Sequence, residues 1–391
     1  MTVGIVGNYG NHNEGDEAIL AGILHQLDKE LGIKRDEVVV FSKNPANTEA
    51  LHNVTARPLF STEKSLLGRV MGAWRRNYNS IKKLDFVIIG GGGILMDLYK
   101  TNVVMFALYG WMARKASVPY IVYGAGAGPI ATTFGKRILH TLGKGASLIT
   151  VRDQDSAELI ESLHIGKPVS VIPDPALALE PPAITVNERP LHIGVTVLPY
   201  HDGVYWPDEN QELYTNYIEG MARNLDRLLS ENPETHVHFF ATKQPYDAEV
   251  AERVREHMRN GERCTVENGP HDYRRILEII SEQDVIIGTR LHSIILAAVA
   301  KKPTIAIGYH RKVGSFMEQA GCSENLISIE ALHKTDEAFS KIFTRIQSDW
   351  QNTCSVFANV PGNIAATQGS GIDLLKESLP ELNRKLQQKE G

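Results

Sequence analysis

Short β-rich runs alternate with longer helical patterns twice over in this chain, and that rhythm constrains its fold more than any other feature. Val3–Val6, Val38–Phe41, Phe86–Ile89, Tyr120–Tyr123, Leu148–Val151 and Val169–Ile172 make the first set. His192–Val197, Val237–Phe240, Val285–Ile287 and Thr304–Ile307 make the second. Strands separated by helices need crossover connections, so each set predicts a parallel sheet of βα units. Between the first two runs, Ile19, Leu20, Ile23, Leu24 and Leu27 recur on one helical face, and Gly32 stands where that helix should stop. From Pro173 to Pro190 the rhythm lapses into a stretch with five prolines, Pro173, Pro175, Pro181, Pro182 and Pro190, which reads as a linker. A length of 391 residues fits the same division. The expectation is an α/β protein with two Rossmann-like domains, at residues 1–180 and 190–350, whose parallel sheets face a cleft. The tail at 351–391 turns charged and helix-prone over Leu374–Gln388, with Pro380 breaking or starting a helix, and is expected to pack back on the first domain.

Charge and cysteine usage exclude several classes. Lys and Arg total 41 against 46 Asp and Glu, a net charge of −5, so the surface as a whole is no nucleic-acid footprint. Cys264, Cys322 and Cys354 have neither metal-ligand spacing nor the even count of a disulfide framework, which fits a reducing compartment. The chain opens on Thr2–Val6 and a glycine loop rather than a basic, cleavable leader, and its most apolar region, Val285–Ala300, is interrupted by Arg290 and His292. A cytoplasmic location is expected, with peripheral membrane contact at the inner face left open.

The unusual residues sit after the β-rich runs, where ligands bind in open parallel sheets. The first such loop, Gly7 to Glu17, has P-loop-like glycine spacing, but Asp16 and Glu17 replace the Lys and Ser or Thr that phosphates need. Asp16 and Glu17 are either first-turn acids favoured by the helix dipole or, for Asp16, a base for a sugar hydroxyl. The glycines Gly90–Gly93 remove every side chain from four positions, at about 1 kcal/mol each relative to alanine in a regular element, which points to close approach by a ligand or another strand. Gly126, Gly128 and Ala131 match the dinucleotide fingerprint, weakened by Pro129. In the second half Arg290 and His292 interrupt an apolar run at a predicted helix start, and Lys312 follows at the next strand end. With Arg152 from the first half they make a cationic set suited to an anion.

Taken together these loops resemble the polysaccharide pyruvyltransferase family, with a CsaB-like pattern. The resemblance rests on Gly7-Asn-Tyr-Gly10 and Asn13-Glu-Gly15-Asp16-Glu17, Gly90–Gly93 with Asp97, Gly124–Pro129, Val151-Arg152-Asp153, Asp174-Pro175-Ala176, and Arg290-Leu291-His292 with Lys312. It implies a GT-B-like fold, phosphoenolpyruvate as co-substrate with no further cofactor or metal, and a ketal formed on two hydroxyls of one sugar with release of phosphate. The implied acceptor is N-acetylmannosamine in a lipid-linked precursor of a secondary cell-wall polymer that anchors surface-layer proteins. The first domain is then the acceptor side and the second the donor side. Arg152, Arg290, His292 and Lys312 match donor positions, while Asn13, Asp16, Glu17, Gly91, Gly92 and Gly93 fall on the acceptor side. His292, Asp16 and Arg290 are the expected catalytic groups. Replacing Arg152, Arg290 or Lys312 is expected to weaken donor use and leave the melting temperature nearly unchanged.

Two other functions remain at this stage: a sugar-nucleotide glycosyltransferase of the same architecture, and a glycan-binding module without turnover. One segment stands apart. From Lys64 to Leu84 there are six basic residues and no acid, so the remaining chain carries −11 once this +6 is taken from −5. Leu66, Leu67, Val70, Met71, Trp74 and Tyr78 share a helical face there. Such a segment either packs on its own domain or meets the headgroups of a membrane and the diphosphate of a lipid-linked acceptor.

Overall fold

The computed structural model describes residues 1–61, 63–97, 100–183, 187–204, 206 and 208–384, with the backbone alone at 100–102. Contacts divide the chain into two units. The first holds Met1–His12, Asp16–Leu179 and the described residues from Ala365 onward; the second holds Asn13–Gly15 and Glu180–Ile364.

The first unit runs β1 (Val3–Val6), α1 (Glu14–Leu31), β2 (Val38–Ser42), α2 (Pro45–His52), β3 (Thr55–Pro58), α3 (Leu66–Ile81), β4 (Phe86–Leu95), α4 (Lys100–Lys115), β5 (Tyr120–Ala127), α5 (Thr133–Gly145), β6 (Leu148–Val151), α6 (Gln154–Glu161) and β7 (Ser170–Val171). Its seven strands lie in the order β3-β2-β1-β4-β5-β6-β7, all parallel. Strands covered on both faces must be apolar on both, and Ile5, Val87, Ile88, Ile89 and Ile121 are fully buried.

The second unit runs β8 (His192–Val195), α7 (Gln211–Glu231), β9 (His236–Phe239), α8 (Tyr246–His257), β10 (Cys264–Val266), α9 (Tyr273–Glu282), β11 (Val285–Gly288), α10 (Leu291–Val299), β12 (Thr304–Gly308), α11 (Arg311–Gln319), β13 (Leu326–Ser328), α12 (Ala338–Ser348) and most of α13 (Trp350–Gln368). Its parallel sheet has the order β10-β9-β8-β11-β12-β13, the same winding as the first. Ile193, Val195, Val285, Ile287, Ile305 and Ile307 form its centre. α14 (Gly371–Ser378) packs on β5 and β6, where Gly371 leaves room for Tyr123 and Ile172. Pro380 opens a further helical stretch, and residues 385–388 of the predicted tail helix lie outside the described residues.

Two expectations need correction. Gly90–Gly93 is no loop: β4 continues through it to Leu95, because pairing with β5 persists at Gly90↔Tyr123 and Gly92↔Ala125, with a register shift between Gly92 and Leu95. Gly124–Ala127 likewise belongs to β5. Strong neighbours on a central sheet override the weak strand preference of glycine. The edge strands β3, β10 and β13 escape the sequence reading because they are only three or four residues long and partly exposed.

Candidate active site

In a doubly wound sheet the ligand crevice opens where the strand order reverses. That point is β1 beside β4 in the first unit and β8 beside β11 in the second. In the first unit Tyr9 fills it. Its ring is fully buried against Gly7, where a Cβ would sit 2.4 Å from it, and its hydroxyl donates to the Gly90 carbonyl at 2.7 Å. Burial, then the carboxylates of Asp16, Glu17 and Asp174, push the phenol well above its ordinary pKa and keep it a donor.

Helix α1 starts just beyond and presents two acids with different tasks. Asp16 is 4% exposed; its Oδ2 accepts from Asn8 Nδ2 at 2.7 Å and its Oδ1 lies 2.4 Å from where a Cβ on Gly92 would be. Glu17 is buried, accepting from the Gly10 amide at 2.8 Å and lying 2.9 Å from His52 Nε2. The acidic end of the loop therefore splits: Glu17, expected on the acceptor side, turns inward and braces the loop. The glycines are explained by the chain itself. A Cβ on Gly91 (φ +76°) would meet Ile19 Cγ2 at 2.4 Å and the Tyr9 hydroxyl at 2.7 Å, and one on Gly90 would meet the Tyr123 carbonyl at 2.0 Å. What approaches Gly91 and Gly92 closely within the chain is α1 and the first loop. Gly93 is half-buried, as is Asn13 just ahead of α1.

Arg152 follows β6 and is 6% exposed; Nη1 donates to Asp174 Oδ2 at 2.8 Å, and Asp153 Oδ2 lies 3.8 Å from Nε. Its guanidinium covers Gly126, where a Cβ would lie 3.2 Å from Nε. The dinucleotide-like glycines thus hold an arginine. Asp97 accepts from the amides of Ala131 and Thr132, both at 2.7 Å, and from the Thr132 hydroxyl at 2.6 Å. Burial opposes its charge, but the Thr132 hydroxyl and the two amides outweigh it and hold the carboxyl below its usual range.

In the second unit the reversal is bridged by threonines: the Thr289 amide donates to Thr196 Oγ1 at 3.1 Å, Thr289 Oγ1 to the Thr196 carbonyl at 2.8 Å, and Thr196 Oγ1 lies 2.8 Å from Ser293 Oγ. This fixes the turn from β11 into α10. Arg290 is the N-cap of α10 and His292 stands half-buried in its first turn. Lys312, half-buried, occupies the first turn of α11, whose N-cap His310 accepts from the Lys312 amide at 3.3 Å. β11 and β12 pair directly, so the two helix starts stand side by side, their dipoles favouring an anion.

Asp247 was not legible in the sequence. It is fully buried in the first turn of α8, and Arg290 grips it with Nη2 at 2.5 Å and Nε at 3.2 Å, while the Lys243 amide donates at 3.0 Å. The one signal was its place as an acid in the first turn of a helix after a strand, as Asp16 is, although α8 follows β9, the counterpart of β2, while α1 follows β1. Rings also went unread: Tyr200, His201, Trp206 and Tyr309 succeed one another at 4.7, 5.2 and 6.0 Å between centroids, reaching His310 at 6.3 Å. Burial pushes the thiols of Cys264 and Cys322 up to about 12 and about 11, which removes them as nucleophiles. Among the described residues no group of three or more His, Cys, Asp or Glu is placed to hold a metal.

Two Rossmann-like units, each a doubly wound parallel sheet, define a GT-B-like fold. Known structures agree on the fold. A UDP-GlcNAc 2-epimerase from Neisseria meningitidis matches with TM-score 0.64 at 12% identity, covering 97% of this chain and 100% of that one. The lipopolysaccharide outer core galactosyltransferase WaaB matches with TM-score 0.53 at 14% identity, covering 93% and 94%. The family is more specific. Residues 13–311 match the polysaccharide pyruvyl transferase family, and the chain belongs to it. The amylovoran biosynthesis protein AmsJ of Erwinia amylovora is 24% identical over 85% of this chain and 89% of its own length. The protein is thus a transferase of polysaccharide pyruvylation. Among the described residues no helix is long and apolar enough to cross a membrane.

Proposed function

We propose that the chain moves pyruvate from phosphoenolpyruvate onto two hydroxyls of one sugar as a ketal, releasing phosphate. The observation that carries the donor is the pair of helix starts bearing Arg290, His292 and Lys312. Phosphoenolpyruvate carries close to three negative charges on a phosphate and a carboxylate, and guanidinium, ammonium and helix-terminal amides suit both groups. Arg152 is assigned to the donor as well, held ready by Asp174. The proposed chemistry needs no further cofactor.

The proposed steps balance as follows. A proton goes to the methylene carbon of the donor, the first sugar oxygen bonds to its C2 and gives up its proton, and the C2–O bond to phosphate breaks. The second hydroxyl then closes the ring. One of the two hydroxyl protons replaces the one spent on the new methyl group, and the other accounts for the proton on the departing phosphate. His292 is the proton donor or phosphate ligand, and Asp16, tethered by Asn8, is the base. Cations around the phosphate stabilise the charge that develops there.

The acceptor proposed is N-acetylmannosamine in a lipid-linked precursor of the CsaB-like kind, whose product anchors surface-layer proteins, with the reaction placed at the cytoplasmic membrane face. Incubation with phosphoenolpyruvate and a panel of N-acetylmannosamine acceptors tests it. Acceptor-dependent phosphate release is expected. Nucleoside diphosphate release from a sugar nucleotide would replace this reading with glycosyl transfer, and acceptor binding without turnover would leave a glycan-binding module.

A further inference from the structure

One face of the first sheet carries a pattern that the candidate site does not use. From Lys64 to Arg152 the chain has thirteen Lys and Arg against two acids, Asp85 and Asp97, so this stretch is +11 and the rest −16 within the total of −5. Neither acid is on a helix: Asp85 precedes β4 and accepts from the Thr2 amide at 2.7 Å, and Asp97 is buried. Helices α3, α4 and α5 therefore contain no carboxylate.

α3 and α5 both pack on α4, and each runs back from a strand's carboxyl end, so their first turns lie along one edge of the unit. The structure divides the apolar residues of α3. Ala73 and Ile81 are buried, and Val70, Trp74 and Tyr78 pack on the core. Leu66, Leu67 and Met71 point outward, 37%, 69% and 44% exposed, and Phe134 in the first turn of α5 is 50% exposed. These are four of the six exposed large apolar side chains among the described residues, and the same two helices expose Arg75 and Arg76 on α3 and Lys136 and Arg137 on α5, with exposed Lys64 just ahead of α3.

We propose that this edge docks on an anionic lipid surface, with Leu66, Leu67, Met71 and Phe134 entering the acyl boundary and the cations meeting headgroup phosphates. Charge favours lipid over a second copy of the chain, since a two-fold contact would press together two sets of helices that hold cations and no carboxylate, with exposed Glu63 ahead of α3 as an acid beside them. The inference deepens the proposed function and rests on it in one respect: the edge lies at the strand ends that carry Asp16, so a lipid-linked sugar would be presented to that carboxylate.

Flotation of the whole chain with vesicles, without donor or acceptor, tests the docking alone. Wild type should float with mixed phosphatidylglycerol–phosphatidylcholine vesicles and not with phosphatidylcholine, and should be released at about 1 M salt, where charges are screened within about 3 Å. R75E/R76E and K136E/R137E should each weaken binding by at least about tenfold, from about fivefold per charge. L67D/M71D should abolish it while melting like wild type. Absence of wild-type binding, or equal binding by all variants, overturns the proposal. So does a wild-type dimer that L67D/M71D dissociates, because the edge is then a contact between copies. Turnover on a short soluble acceptor, measured beside this, reports on pyruvyl transfer and not on docking.

Discussion

His292, Lys312 and Asp97 are the residues where one substitution separates chemistry from scaffold. Lys312 is half-buried in a helix start, so Lys312→Met should raise the KM for phosphoenolpyruvate with little change in Tm. The same expectation for Arg152 and Arg290 has to be revised. Each holds a buried carboxylate, Asp174 or Asp247, and alanine at either position strands that charge at a cost of about 3 kcal/mol. Asp247 is a positioning residue through Arg290: Asp247→Asn should raise the donor KM more than it lowers kcat. His292→Gln should lower kcat and remove a limb of the pH–rate profile; full activity with an unaltered profile would take His292 out of the proton transfers. Asp97 tests the electrostatics by stability. Its folded-state pKa is depressed, so its contribution is present above the unfolded value near 4 and is lost as pH falls through the lower folded value. Asp97→Asn should therefore cost about 1–3 kcal/mol near neutral pH, and the gap to wild type should close below about pH 4 in thermal melts.

The glycines show at the scale of elements what a sequence does and does not reveal. Gly32 was legible as the stop of α1: its φ is +61° and a Cβ there meets nothing within 4 Å. Gly92 was legible as a close approach, but the approaching atom was not. Asp16 and Ile19 come from the helix after another strand, and no local spacing links them to β4. Arg290 was legible because a cation interrupted an apolar run. Asp247 was hidden because its partner lies 43 residues away on another βα unit. The basic segment was legible as amphipathic, yet only packing against α4 shows which of its apolar residues face out. A paired substitution follows. Gly92→Ala at φ +73° would place a Cβ 2.4 Å from Asp16 Oδ1 and should displace that carboxylate, reducing kcat as well as stability. Gly32→Ala should cost about 1 kcal/mol of backbone strain and leave kcat alone. Equal kcat for the two variants would detach Asp16 from catalysis.

Across the whole molecule, one winding is used twice with different fillings at the point of reversal. Tyr9 fills the first with a buried ring, while threonines bridge the second and leave Arg290, His292 and Lys312 at helix starts above it. If the second unit holds the donor, phosphoenolpyruvate at a hundredfold excess over its Kd should stabilise the protein by roughly 2.7 kcal/mol, and Lys312→Met should blunt the rise in Tm. The most direct test of pyruvyl transfer follows the donor carbon itself. Phosphoenolpyruvate labelled at C2 with a heavy carbon isotope, turned over in heavy water with an N-acetylmannosamine acceptor, should place the label in the sugar product as a quaternary ketal carbon whose methyl group carries one hydrogen from solvent. Label that stays in phosphoenolpyruvate or ends in free pyruvate, with the acceptor unchanged, would contradict the account.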